Sequence, residues 1–329
     1  MKTLSELRWH PILAEWVITA THRQDRTFFP PADYNPLAPT QPGGFPTEIP
    51  AADYEIVVFD NKFPSLQVNP PVPAIAGSML TPVRPAQGVC EVVCYAADAG
   101  TELARLPQWK IRQLIEVWSH RFIELSSRAY VDYVFIFENK GKEIGVTLNH
   151  PHGQIYAYPF IPPLVQRRVS AAKAHYETTR RDLIGDVLAQ ELEDGRRLVA
   201  QNEHFVAVVP FFARFPYEVQ VYPRGCRAAI DEFTSNERDS LAEILKVVME
   251  KYNNLWDRSM PYIMMMHQRP CDGQDYSYMR FHIEFTPPYR TPDKLKFLAG
   301  SEAGAGAYIN DTLAEVKAEE LRNTLPHLM

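Results

Sequence analysis

Apolar and polar positions along this chain follow two periods, and the same succession occurs twice. Glu91-Val92-Val93-Cys94-Tyr95 and Glu218-Val219-Gln220-Val221-Tyr222 are short runs of β-branched and aromatic residues, which read as strands. A loop and then a helical period follow each. After Leu106-Pro107-Gln108, the residues Ile111, Leu114, Ile115, Trp118 and Phe122 recur at helical spacing. After Thr234 and Ser235, either of which can cap a helix, Leu241, Ile244, Leu245, Val248 and Tyr252 do the same. Each helix gives way to two more strand-like runs. These are Tyr133–Phe137 and the segment around His150 in the first half, and Tyr262–His267 and Met279–Phe285 in the second. Upstream, Tyr54–Phe59 with Phe63-Pro64 parallels Phe205–Pro210 with Phe215-Pro216. Each half therefore reads strand, strand, helix, strand, strand. The expected fold is α+β, a tandem duplication with antiparallel sheets flanked by helices, divided into residues 1–165 and 166–329.

The run Thr147-Leu148-Asn149-His150-Pro151-His152-Gly153-Gln154-Ile155-Tyr156 carries the densest chemistry. On a strand, alternate side chains share a face, so His150, His152 and Gln154 are expected together. Pro151 marks an edge or an irregularity, and Gly153 is expected to let the backbone approach a ligand. Imidazole is a strong nucleophile toward phosphorus near neutral pH. An amide beside it can donate to a phosphoryl oxygen. Aligning the halves places His150-Pro151-His152 on His282-Ile283-Glu284. That alignment puts Glu284 where the first half has His152, so the second half is expected to lack a nucleophile.

Composition narrows the field. The 329 residues suit about two domains. With 46% apolar and 22% charged residues the chain is ordinary for a globular protein. No run approaches the roughly 18 apolar residues of a membrane span, and MKTLSELRWHP lacks the apolar core of a signal peptide. A cytoplasmic protein with no membrane partner is expected. The net charge of −6 argues against nucleic acid as a partner. Cys90, Cys94, Cys226 and Cys271 form no CxxC pair and read as reduced thiols. The 28 prolines predict a loop-rich stretch in the region 28–87.

His-Pro-His-Gly-Gln followed by an aromatic, with Phe137-Glu138-Asn139-Lys140-Gly141 upstream, resembles the galactose-1-phosphate uridylyltransferase family of the histidine-triad superfamily. The resemblance runs nearly end to end. It includes Trp9-His10-Pro11, Glu15-Trp16-Val17-Ile18, His22-Arg23-Gln24-Asp25-Arg26, Phe59–Pro64 and Lys294–Glu302. It implies two histidine-triad-like units, with the nucleophile in the first. It further implies ping-pong transfer of UMP from UDP-glucose to galactose 1-phosphate, a step of galactose metabolism, through a uridylyl-histidine at His152. Gln154 would hold the phosphoryl oxygens and His150 would support the site. Arg23 and Arg26 would face phosphates, Asn61 and Asn139 the uridine or phosphate, and Thr147 would be among the substrate-binding residues. Lys296, Phe297 and Glu302 would approach the hexose phosphate. A homodimer sharing its sites between subunits is implied as well.

The chain departs from the family at two metal sites. Asn35 and Ala38 occupy the positions of the paired cysteines, and Ala96-Ala97-Asp98-Ala99 that of a histidine. Only His150 remains of that ligand set, so no structural zinc is expected. His267, His282 and Glu284 match a second site at which a divalent metal is conceivable, but Arg168 stands at the position of its fourth ligand and could pair with Glu284 instead. Other readings stay open. A nucleotide phosphorylase or hydrolase would use phosphate or water as acceptor. A metal oxygenase would use His267, His282 and Glu284 as a facial triad. A nucleotide sensor would bind without turnover.

Overall fold

The strand-forming runs of both halves enter one sheet. The structure, a computed structural model, describes residues 4–25 and 34–325. Arg26 lies outside them. The N-terminal strands are β1 (Ser5–His10), β2 (Glu15–Ala20), β3 (Val57–Asp60), β4 (Val83–Pro85) and β5 (Val89–Cys94). Helix α1 (Gln108–Ser126) then leads to β6 (Tyr133–Lys140) and β7 (His152–Tyr158). Helices α2 (Pro163–Thr179) and α3 (Leu183–Asp194) lead to β8 (Leu198–Gln201), β9 (Phe205–Val208) and β10 (Val219–Pro223). Helix α4 (Ser235–Leu255) precedes β11 (Tyr262–His267), β12 (His282–Thr286), β13 (Tyr289–Thr291) and β14 (Lys294–Leu295), and α5 (Ala314–Asn323) closes the described chain.

The expected strand, strand, helix, strand, strand order is present in both halves, as β3-β5-α1-β6-β7 and β9-β10-α4-β11-β12. The two units do not form separate sheets. They share one nine-stranded sheet in the order β3-β5-β7-β6-β11-β12-β10-β9-β8, antiparallel throughout. Its middle is the β6–β11 ladder, where Phe137 pairs with Met265. A three-stranded sheet, β2-β1-β4, and the β13–β14 hairpin stand apart. Helix α2 begins at Pro163, so a division at 165/166 falls within its first turn.

The register is symmetric about the centre. Val92, Gln154, Phe137, Met265, Glu284 and Gln220 form one row across six strands. One step of two residues along, Cys94 and His152 match Tyr222 and His282. This corrects the alignment of the halves: His152 corresponds to His282, Gln154 to Glu284 and His150 to Arg280. The second half keeps an imidazole at the position that matches His152.

Helices α1 and α4 cover one face of the sheet in both halves, where Trp118, Phe122, Leu245 and Val248 join one apolar core. Thr234 and Glu237 form a capping box that starts α4. The other face is covered unequally. Val165, Val169 and Ala172 of α2 pack near Tyr133 and Phe135, and Leu188 of α3 packs on Val206, Val208 and Tyr222. Among the described residues no helix covers β3, β5 and β7 on that face, and there the loops around residues 34–50 border a cleft. The duplicated backbone thus has one front open and one filled.

With one sheet and one core spanning both halves, unfolding is expected as a single cooperative transition. Phe122→Ala should lower its free energy by about 3–5 kcal/mol without splitting it. Urea unfolding followed by fluorescence and far-UV circular dichroism checks this; two separated transitions would contradict it.

Candidate active site

Strand β7 opens at His152, directly after Pro151, which has no amide proton to give a ladder. Alternation places Gly153, Ile155 and Ala157 on the buried helix side and His152 and Gln154 on the open side. Pro151 marks the start of an interior strand, not an edge. His150 precedes the strand, and its ring is engaged by Asn35, Tyr54 and the Ala96 carbonyl, while it lines a cleft together with His152.

His152 Nδ1 lies 2.7 Å from the carbonyl oxygen of His150. A carbonyl only accepts, so the ring proton resides on Nδ1 and the lone pair on Nε2. Gln154 Oε1 accepts from Asn61 Nδ2 at 3.4 Å, which orients its amide NH2 as a donor. Asn61 Oδ1 in turn accepts from the Phe63 amide at 2.9 Å. His152, Gln154, Asn61 and Thr147 line a cleft of about 320 Å³ with Leu37, Phe59, Phe63 and Val92. Apolar walls around a few converging polar groups suit a flat heterocycle with a phosphate at its inner end. Arg23 donates to the Phe63 carbonyl at 2.6 Å, beside that cleft. A second cleft on the far side of His152 is lined by Asn139, Lys140, Glu102 and Asn149. His152 thus stands between two concavities.

His150 is buried in a polar network. Asn35 Nδ2 lies 3.0 Å from its Nδ1, and the Asn35 carbonyl oxygen is fixed by the Leu37 amide at 3.0 Å. The ring proton therefore sits on Nε2, 2.9 Å from the Ala96 carbonyl and 2.7 Å from the Tyr54 hydroxyl. Burial pushes the His150 ring down to about 4. Its neighbours are an amide, a phenol and a carbonyl, without the thiolates a closed zinc site needs. The residue types here do not fit that metal. Tyr54 carries no motif and escaped the sequence reading, while Asn35 stands at one of the cysteine positions and puts an amide there.

The second cluster stands at the matching place of the other half. The ligand atoms of His267, His282 and Glu284 lie within 4.8 Å of one another. Arg168 Nη2 is 2.9 Å from Glu284 Oε1, and Arg214 Nη2 is 3.1 Å from Oε2. Gln220 also donates to Oε1 at 3.2 Å. Against the effect of burial, His267, His282 and Arg168 hold the Glu284 carboxyl well below its ordinary range. Burial, together with Arg168, depresses His267 to about 3. Both carboxylate oxygens already face guanidinium groups, so a divalent ion would add charge to two fixed cations; the donor set as placed does not fit one. Arg214 and Gln220 were not foreseen.

Lys296, Phe297 and Glu302 are not brought to His152 within this chain. Lys296 donates to Glu302 at 3.2 Å, and Glu302 accepts from the Ala299 and Ile309 amides at 3.2 and 3.4 Å. The pair is buried while Phe297 is exposed. Glu302 borders a different groove, with Trp9, Trp16 and Arg167.

Comparison with known proteins agrees with this geometry. The family model for galactose-1-phosphate uridyl transferase, N-terminal domain, matches residues 1–162, and that for the C-terminal domain matches residues 169–328. The galactose-1-phosphate uridylyltransferase of Thermotoga maritima is 42% identical over 324 residues, covering 98% of this chain and 99% of that one. The enzyme of Rattus norvegicus is 32% identical, covering 96% of this chain and 86% of its own. A solved uridylyltransferase structure superposes with a TM-score of 0.86 at 31% identity, covering 97% of this chain and 98% of that one.

The fold favours the neutral His150 ring, so the unfolded chain takes up the proton first as the pH drops below about 6.5. Stability from this site is full above that value, is lost between about 6.5 and 4, and levels off below. The loss amounts to about 3 kcal/mol. Urea midpoints between pH 7 and 4 should show the wild type's advantage over His150→Gln shrinking by that amount; a constant difference would refute it.

Proposed function

The chain belongs to the galactose-1-phosphate uridylyltransferase family, and we propose that it transfers UMP from UDP-glucose to galactose 1-phosphate through a uridylyl group on His152. The observation that carries this reading is the His152 tautomer, fixed by the His150 carbonyl at 2.7 Å. Nε2 attacks the α-phosphorus of UDP-glucose. The N–P bond forms, the bond from phosphorus to the bridging oxygen breaks, and glucose 1-phosphate leaves with the electron pair. The Nδ1 proton stays on the ring, and the His150 carbonyl stabilises the charge that develops there. A phosphate oxygen of galactose 1-phosphate then attacks phosphorus, the N–P bond breaks, and UDP-galactose departs. No proton need enter or leave in either half.

In this reading Gln154 donates its amide to the phosphoryl oxygens and Arg23 adds positive charge near them. Asn61 orients Gln154, and the walls of the 320 Å³ cleft take the uracil. Asn139 belongs to the far cleft, where the hexose phosphate would lie. Lys296, Phe297 and Glu302 would reach the reacting groups from the second subunit of a homodimer, since in their own chain they share no described cleft with His152. Among the described residues no helix is long and apolar enough to cross a membrane. The four cysteines are unpaired, which suits the cytoplasm. The Arg168–Glu284–Arg214 ion pairs would take the place of a metal.

His152→Ala should abolish exchange, and Gln154→Ala should lower kcat by about 10²–10³-fold. Protein denatured in alkali after incubation with uridine-labelled UDP-glucose should carry label on His152. Full turnover by His152→Ala would end the proposal. Label transfer to phosphate or water as readily as to galactose 1-phosphate would favour a phosphorylase or hydrolase.

The metal expectation is separable. Elemental analysis of the purified protein should find far less than one equivalent of divalent metal, and a chelator should leave the melting temperature unmoved. Stoichiometric metal lost on His282→Ala would contradict the ion-pair reading.

A further inference from the structure

Directly behind His152 and Gln154, on the helix side of the sheet, lies a buried polar group that the reaction as described does not use. Gly153 faces it. A Cβ at residue 153 would overlap the Tyr95 hydroxyl oxygen and would also meet the Phe137 carbonyl at 3.0 Å and Tyr95 Cζ at 3.1 Å. Tyr95 is almost fully buried, its ring edge-on to Trp118 of α1 with centroids 6.1 Å apart. Its amide donates to the Pro151 carbonyl at 3.0 Å, so the residue holds β7 by its backbone as well. The hydroxyl lies beside the carboxyl of Glu138, which is buried on the neighbouring strand β6 and accepts from the Tyr262 hydroxyl at 3.3 Å. Burial pushes that carboxyl up to about 7, and neither its Oε2 nor the Tyr95 hydroxyl has a hydrogen-bond partner among the described residues.

The other half of the molecule supplies a control. By the strand register, Gly153 corresponds to Ile283, Glu138 to Met266 and Tyr95 to Pro223. Ile283 and Met266 are fully buried in the ordinary apolar core. The positions of Gly153 and Glu138 are therefore taken by apolar side chains in the other half. Leaving a phenol oxygen and a carboxyl oxygen buried without partners is costly, so an apolar filling available to this backbone is forgone behind His152 and Gln154. The glycine is not there for a ligand to approach, since its open side is occupied by Tyr95.

We infer that Tyr95 is a positioning residue: its hydroxyl fills the place of a side chain at 153 and sets where β7 carries His152 and Gln154. This rests on the proposed uridylyl transfer for its consequence in rate, but not for its geometry. Three variants test it, Gly153→Ala, Tyr95→Phe and the double variant, read by single-turnover labelling from UDP-glucose and by the ring ¹H–¹⁵N signals of His152.

Gly153→Ala should slow labelling by about 100-fold, the effect expected of a displacement near 1 Å, and should shift the His152 signals. Tyr95→Phe, nearly isosteric, should fold normally and slow labelling several-fold with little change in KM for UDP-glucose. The double variant should recover at least tenfold over Gly153→Ala and return the His152 signals toward their wild-type positions, because removing the hydroxyl takes away the one outright overlap and leaves the new methyl two tight contacts, 3.0 Å with the Phe137 carbonyl and 3.1 Å with the ring carbon. A double variant no better than Gly153→Ala in either readout would overturn the proposal, as would a wild-type rate in Gly153→Ala. If the wild type itself takes no label, the proposed function falls, and recovery of the His152 signals still decides this inference.

Discussion

The antiparallel ladder between β6 and β11 is the constraint from which the rest of the architecture follows. Each half has β-strands with one face buried by its own helix, and each would present an unpaired edge if it stood alone. Joining the two central edges satisfies their backbone groups and places α1 and α4 side by side over one core. Because Phe137 meets Met265 at the centre, every row of the first half continues into a row of the second. The reactive row and its counterpart are fixed by that register.

What differs between the halves is filling, not backbone. Helix α3 presses Leu188 onto Val206, Val208 and Tyr222 in the second half, while the matching surface of the first is left to loops and a cleft. His282 keeps the imidazole of His152 but is buried, between the His267 ring at 4.8 Å and the Tyr222 ring at 5.9 Å. Gln154 has become Glu284, and two arginines face its charge. The two imidazoles share a register, but the first half adds an open face, a neutral amide beside the ring and Tyr95 behind its strand.

The reactive segment is supported by hydrogen bonds on all sides. His150 contributes its carbonyl to His152 and spends its ring on Asn35, Tyr54 and Ala96. Asn61 uses one amide atom on Phe63 and the other on Gln154. Each functional group is thereby limited to one protonation state or one orientation before a substrate arrives, which is where preorganisation has its effect.

The sequence alone determined the duplicated order of strands and helices, because hydrophobic period is a local property written in neighbouring residues. It also determined that His152 and Gln154 share a face, since alternation along a strand needs no tertiary information. It could not determine register, because shifting the alignment of two short strands by two residues preserves the pattern of both; so His152 was matched with Glu284 where the ladder matches it with His282. Nor could it show that the His150 ring is taken up by Tyr54 and the Ala96 carbonyl, which lie far from it in the chain. Only the tertiary structure brought Asn35 and Tyr54 to His150, Arg214 to Glu284 and the Tyr95 hydroxyl beneath Gly153. Those contacts join residues far apart in the chain, and only packing decides which of them meet.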